Sequence, residues 1–426
     1  MYIEMFEEIV SICRHDYSGC QDKKGWDHPE KYVDEICILE EKQELTPDKF
    51  VEIVQDYLLD FKEQHMFFKS SKKSVEKRYD VGFKVRRFED QLFITDVGKE
   101  MRVKKGYAIV SLGNVPVINL VEKHRRELIE DHQERENWNS IIGKYQFCEI
   151  MDGNGHTYQM KLKKYEKDEY TPQYSIEELE KGILLMTLTD FANADAITQL
   201  VHQHQEALEN CRKLIIDVRV NYGGNDSSYF QLLPYIFENR EVNINTEDDE
   251  YMLINCTERS CELEISEMKN AIASTEDEYT KKVLKIFLRE WEKNKGKGFV
   301  QFDLSDLEDT IIQGRKNPEQ IIVMTDVTCG SSGDSFVEIC KRSSKVTVIG
   351  RPTAGLNDYA NLSVMKWHDQ FELWYPTSRL SRIDNGKGMT GVGIKPHIHI
   401  PWTPKHLFDD IDIQTALKLL EEKAKA

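Results

Sequence analysis

The spacing of apolar residues divides the chain into stretches of different period. Residues 1–74 repeat at helical spacing: Met5, Phe6, Ile9, Val10 and Cys13 share one helix face, and Phe50, Ile53, Val54, Tyr57, Leu58 and Phe61 share another. Thr46-Pro47-Asp48 opens the second of these helices, with Thr46 as N-cap and Pro47 at the first helical position. That helix is expected to run out at Glu63-Gln64-His65, and Met66 to Phe68 read as a strand or turn. Over residues 75–166 the period shortens to two. Residues 81–85 and 91–94 pair as a hairpin, and residues 147–150 and 158–162 form a second one around the turn Asp152-Gly153-Asn154-Gly155. A helix at about 120–128 lies inside this small β-rich module.

From residue 167 the pattern changes again, after an acidic linker containing Tyr and Pro at 166–178. Short unbroken apolar runs at 182–188, 214–219, 321–324 and 345–349 read as buried strands, with helices predicted at 192–211, after Gly333, and at 411–423. The succession predicts an α/β core. A charged, largely helical insertion at about 238–318 interrupts it, with a long amphipathic stretch from Glu267 to Glu292. Strands are expected again around 362–366 and 371–376. The predicted organisation is an N-terminal helical region (1–74), a small β-rich domain (75–166) and a core (167–426).

Composition narrows the functional classes. At 426 residues, with a net charge of −18, the chain would be repelled by nucleic acid and by anionic membranes. No apolar run approaches the length of a membrane span, and the first residues lack a basic leader, so a cytoplasmic protein is expected. The nine cysteines are scattered and lack a CxxC pair, which reads as reduced thiols and not as a disulfide or zinc framework.

Candidate chemistry gathers where loops leave buried strands. Ser331 and Ser332 sit where a loop enters a helix, a place with unpartnered N–H groups and a favourable dipole for an oxyanion. Ser331 is then either a helix cap paired with Asp334, or a nucleophile with the Ser332 N–H as half of an oxyanion hole. Gly223-Gly224 follows another buried strand and lets the backbone turn sharply toward a ligand. Asp217 and Arg219, at the end of that strand, need partners and would brace the loop by pairing. Cys329 is a rival nucleophile with no histidine placed near it by any pattern. His397 and His399 share one strand face without a third metal ligand. His65, taken alone, reads as a dipole partner or surface residue.

Five stretches in order resemble the S41 family of serine peptidases, which holds the tail-specific, tricorn-core and chlamydial proteases. They are Glu63-Gln64-His65; the β-rich module, which looks PDZ-like; the run from Ile216 to Gly224; Thr328 to Asp334; and Gly350 to Gly355 together with Gly391 to Pro396. The resemblance implies a crotonase-like β/α core, a peptide or protein substrate, and no metal or cofactor. It makes Ser331 the nucleophile, with the N–H groups of Ser332 and of Gly223 or Gly224 as the oxyanion hole. The base departs from two of the family's arrangements. Leu356 stands where tail-specific proteases carry a Lys, and Leu185 or a neighbour stands where tricorn-type enzymes carry a His. The third arrangement makes His65 the base. Its orienting Glu is replaced here by Thr390, a neutral hydroxyl, and Glu63 sits too close along the chain to take that place. The resulting expectation is an endopeptidase. The alternative is an inactive homologue that binds a peptide or apolar ligand, and an acyl-CoA enzyme on the same core is a third class.

Overall fold

The computed structural model describes residues 2–71, 79–180, 182–244, 250–307 and 311–422. The expected boundary between residues 74 and 75 lies outside the described residues, as does Lys423 at the expected end of the last helix. The chain forms two compact units. One comprises Met1–Ser74, Asn243–Thr310 and Leu356–Met389; the other comprises Val75–Val242, Ile311–Gly355 and Thr390–Ala426.

The second unit holds the α/β core. Its six-stranded sheet runs in chain order through Tyr174–Glu180, Ile183–Leu188, Lys213–Asp217, Gln320–Thr325, Val346–Gly350 and Ile398–His399. The first pair is antiparallel and every later pair is parallel. Alternate residues of a strand face opposite sides, and here both sides are covered. Ile215, Ile322, Met324 and Ile349 pack with Ala416 and Leu420 of the helix Ile411–Glu422. Leu214, Ile216, Ile321 and Val323 on the other side are buried as well. That two-sided burial is why these strands read as unbroken apolar runs. Asp217 pairs with Met324 and Thr325 with Gly350, so three parallel strands finish level at one edge. Their following loops therefore share the carboxyl edge, where open α/β sheets bind ligands.

The small β-rich region of the same unit forms an antiparallel sheet, also six-stranded, running from Phe83–Phe88 to Thr157–Lys161, with its own core around Leu92, Ile109 and the fully buried Trp138. The helix expected at 120–128 starts earlier and is broken, as Val117–Lys123 and Arg125–Leu128.

In the first unit, helices Tyr2–Ser11, Glu30–Glu41 and Pro47–Leu58 bury an aromatic core against a five-stranded sheet. Thr46 caps the third helix by accepting the Lys49 N–H at 3.1 Å, as its sequence predicts. The insertion differs from expectation. Its amphipathic stretch is two helices, Glu258–Ser274 and Glu278–Asn294, because Asp277 caps a new helix by accepting the Thr280 N–H at 2.6 Å. It also contributes the strands Met252–Cys256 and Gly298–Val300 to the sheet of its unit, the first pairing with Phe371–Leu380.

A buried ionic chain ties the second unit together. Arg86 of the small sheet donates to Asp326 at 2.8 and 3.0 Å, and Arg351 joins Asp326 to Asp412, reaching the latter at 2.7 and 2.8 Å. Burial alone would raise the Asp326 carboxyl, but Arg86 and Arg351 outweigh it and hold the group well below the usual carboxylate range. Burial likewise pushes Asp412 up, while His406 and the neighbouring arginines bring it down to about 2. With folded values depressed, these carboxylates add stability above about pH 4, the usual carboxylate value, and lose it as pH falls toward their folded values. Arg351→Met would leave two buried carboxylates without this partner. It is expected to cost roughly 3–5 kcal/mol at neutral pH, read from urea midpoints, and to move acid unfolding to higher pH.

Candidate active site

The strand Gln320–Thr325 leads through a tight loop into the helix Ser332–Lys341. Ser331, at the junction, has φ 57° and ψ −123°, a left-handed conformation that costs a residue with a Cβ on the order of 1–3 kcal/mol. Its N–H donates to Asp334 Oδ2 at 2.8 Å, and the expected capping box between Ser331 and Asp334 is present. Asp334 does more than cap: it is fully buried, and its other oxygen accepts the Gly355 N–H at 2.8 Å. One carboxylate thereby links the serine turn to the end of the loop that follows Val346–Gly350.

The double-glycine loop lies against the same turn. Asn221, wholly buried, is its hub. Its Nδ2 donates to the Leu188 carbonyl at 3.0 Å, its Oδ1 accepts the Gly223 N–H at 2.9 Å, and its carbonyl accepts the Gly330 N–H at 3.1 Å. Arg219 pairs with Asp217, as the sequence predicts, with Nη2 at 2.7 Å, and also binds Asp410 at 2.9 Å and Asp412 at 3.1 Å. Gly223 has φ 76°, and a Cβ added there would stand 2.6 Å from Ser331 Cβ and 3.3 Å from its Oγ. Only glycine fits so close to that hydroxyl. Of the two glycines, Gly223 is buried with its N–H engaged by Asn221, whereas Gly224 is exposed. Ser332 opens the helix, so its N–H has no acceptor within the helix.

The loop after Val346–Gly350 is braced from the small sheet's side of the same unit. Arg135 donates to the Thr353 carbonyl at 2.7 Å and to the Ala354 carbonyl at 2.6 Å, and the Ala354 N–H donates to Cys329 O at 2.6 Å. Thr353 Oγ1 accepts the Ile394 N–H at 2.8 Å, which joins this loop to the glycine pair at 391 and 393. Thr390 stands exposed just before that pair.

His65 belongs to the other unit. Its helix ends at Leu58, earlier than expected, because a single 3-10 turn and the left-handed Lys62, φ 48°, redirect the chain. Glu63 is buried and receives Tyr17 Oη and Lys23 Nζ, each at 3.1 Å, while its Oε1 accepts the His65 N–H at 3.1 Å. The carboxylate thus holds the histidine's backbone and not its ring. The ring is held by Tyr359, whose carbonyl lies 2.8 Å from Nδ1. A carbonyl only accepts, so Nδ1 carries the proton and Nε2 bears the lone pair of the neutral ring. No sequence signal marks Tyr359 for this task, since a backbone acceptor can come from any residue type.

The remaining candidates fall away from nucleophilic or metal chemistry. Cys329 is fully buried, and burial pushes its thiol well above the ordinary value, away from the reactive thiolate. His397 Nδ1 is engaged by the Val348 N–H at 2.9 Å, and among the described residues no group of three or more His, Cys, Asp or Glu is placed to hold a metal ion.

Comparison with known proteins gives this arrangement a family. The profile of Peptidase family S41 matches residues 182–400, more than half of the chain. The chain belongs to that family and is a serine peptidase of it. No curated protein matches the sequence. Among solved structures, mature CPAF complexed with lactacystin is similar with a TM-score of 0.67 at 11% identity, over 98% of this chain and 97% of that one. Mature CPAF alone gives 0.62 at 11%, over 95% and 93%, and a mutant of CPAF gives 0.65 at 12%, over 95% and 94%. At such identity these likenesses show a shared fold.

Gly223→Ala tests the packing of the serine turn. The added methyl, at a backbone angle unsuited to it, displaces either the loop or Ser331. Labelling of the folded variant by a fluorophosphonate is expected to slow about 100-fold, the scale of a misplacement of about 1 Å, with an unchanged circular dichroism spectrum.

Proposed function

We propose that the chain is an endopeptidase that cleaves peptide or protein substrates through Ser331, with His65 as its base. The observation that carries this reading is the left-handed backbone of Ser331 at a strand-to-helix turn. Strain of this kind persists where surrounding structure enforces it, and it is the way hydrolases present a serine hydroxyl. A plain helix cap needs no such conformation, since caps ordinarily take extended backbone angles.

In this reading His65 Nε2 accepts the Ser331 hydroxyl proton as Oγ attacks the carbonyl carbon of the scissile bond, and later returns it to the leaving amine. The oxyanion of the tetrahedral intermediate is received by the N–H groups of Ser332 and of the double glycine. The engaged N–H of Gly223 favours Gly224 for the second position. The Tyr359 carbonyl supports the ring's tautomer, and Thr390, the sequence's candidate for that task, is assigned only as a neutral orienting hydroxyl in the scheme. Neither partner brings a full charge, so the imidazolium is less stabilised than beside a carboxylate, which points to a modest turnover. Neither metal nor cofactor has a part in the scheme.

Ser331→Ala and His65→Ala are each expected to lower cleavage of unfolded casein at least roughly 1,000-fold. Full activity in His65→Ala would reject it as the base, and full activity in Ser331→Ala would reject the nucleophile.

A further inference from the structure

Exposed large apolar side chains are unevenly placed on the second unit. Within the eleven residues from Val220 to Phe230, Val220 is 46% exposed, Tyr222 52% and Phe230 37%. A fourth, Tyr170, 53% exposed, comes from the Tyr-containing linker and sets its ring edge-on to Tyr222 at 5.2 Å and 89°. Tyr170 is firmly placed. Its hydroxyl donates to Asp190 Oδ2 at 2.8 Å and lies 2.9 Å from Thr189 Oγ1, and the Thr189 carbonyl accepts the Tyr222 N–H at 3.0 Å. Burying a tyrosine ring favours folding, yet these two rings are fixed in position while their outer faces stay in water. Rigid, half-exposed tyrosines lose little entropy on contact and are typical of recognition surfaces.

The position of this pair decides its use. Tyr222 directly precedes Gly223, at which an added Cβ would stand 2.6 Å from Ser331 Cβ, and consecutive Cα atoms are about 3.8 Å apart. Asn221 is buried beneath the loop, Tyr222 is exposed, and Gly223 is buried against the serine. The Tyr222 backbone is therefore one residue from the position packed against Ser331, with its side chain open to solvent.

We infer that Tyr222, braced by Tyr170, receives the apolar or aromatic side chain of a substrate residue flanking the scissile bond, and so sets cleavage preference. The inference rests on the reading of Ser331 as nucleophile. The two aromatic faces favour carbon over charge, and the Asp190 carboxylate beside Tyr170 is already occupied by tyrosine hydroxyls.

The test uses the full chain and peptides identical except for one residue, Leu, Phe, Gly, Glu or Lys, on either side of a single cleavable bond. The ratio of kcat/KM for Leu or Phe peptides to that for the Gly peptide is expected to fall roughly tenfold in Tyr222→Ala, to survive in Tyr222→Phe, and to fall partly in Tyr170→Ala. Binding of the same peptides to Ser331→Ala, with and without Tyr222→Ala, is read by fluorescence polarisation and needs no catalysis. Loss of the Leu and Phe preference there supports Tyr222 as the side-chain receiver, whereas a wild-type chain that cleaves nothing sinks the nucleophile assignment and the claim on cleavage preference with it. An unchanged ratio together with unchanged binding, or a wild-type preference for Lys or Glu, overturns the inference.

Discussion

The Asp334 carboxylate is the constraint on which the candidate site depends. It is buried, it accepts N–H groups from Ser331 and Gly355, and these come from loops that follow two adjacent parallel strands. A buried carboxylate is costly unless its oxygens are engaged, so the two loops cannot separate without exposing that cost. The left-handed turn at Ser331 is anchored by this bond at its N–H. Asn221 plays the matching part on the other side, joining Leu188, Gly223 and Gly330 through three hydrogen bonds. The serine turn is thus held from both neighbouring strands, and the geometry of the candidate site and fold stability share the same contacts.

Much of this was legible in the sequence because its cause is local. The buried strands announce themselves as apolar runs since both sheet faces are covered, and Thr46-Pro47 marks a helix start by the chemistry of its own side chain and ring. The positions of Ser331 where a loop enters a helix, and of Gly223 and Gly224 just past a buried strand, follow from the same patterns. What escaped was set by long-range or backbone contacts. The Nδ1 partner of His65 is a carbonyl 294 positions away, and a carbonyl carries no residue signature. The double task of Asp334 was hidden because Ser-x-x-Asp is complete as a local cap. The insertion's two strands are short, and its helix break rests on the single cap residue Asp277.

The departures from the family's other arrangements become physically intelligible in these terms. Leu356 offers no base, but it follows Gly355, whose N–H Asp334 holds, so the loop keeps a structural role without a lysine. Glu63, the charged group nearest His65 in sequence, is committed to Tyr17, Lys23 and the histidine's own N–H. A neutral backbone acceptor is left to fix the ring. The scheme therefore rests more on prepositioned dipoles and less on paired charges than one with a carboxylate behind the histidine.

The central claim is that Ser331 is activated by His65. Intact-mass and peptide mapping of the chain after reaction with a fluorophosphonate tests it most directly, because only an activated serine is modified. One adduct is expected, on Ser331, its formation slowed at least tenfold in His65→Ala. No adduct, an adduct on another residue, or labelling of Ser331 at the same rate without His65 would contradict it.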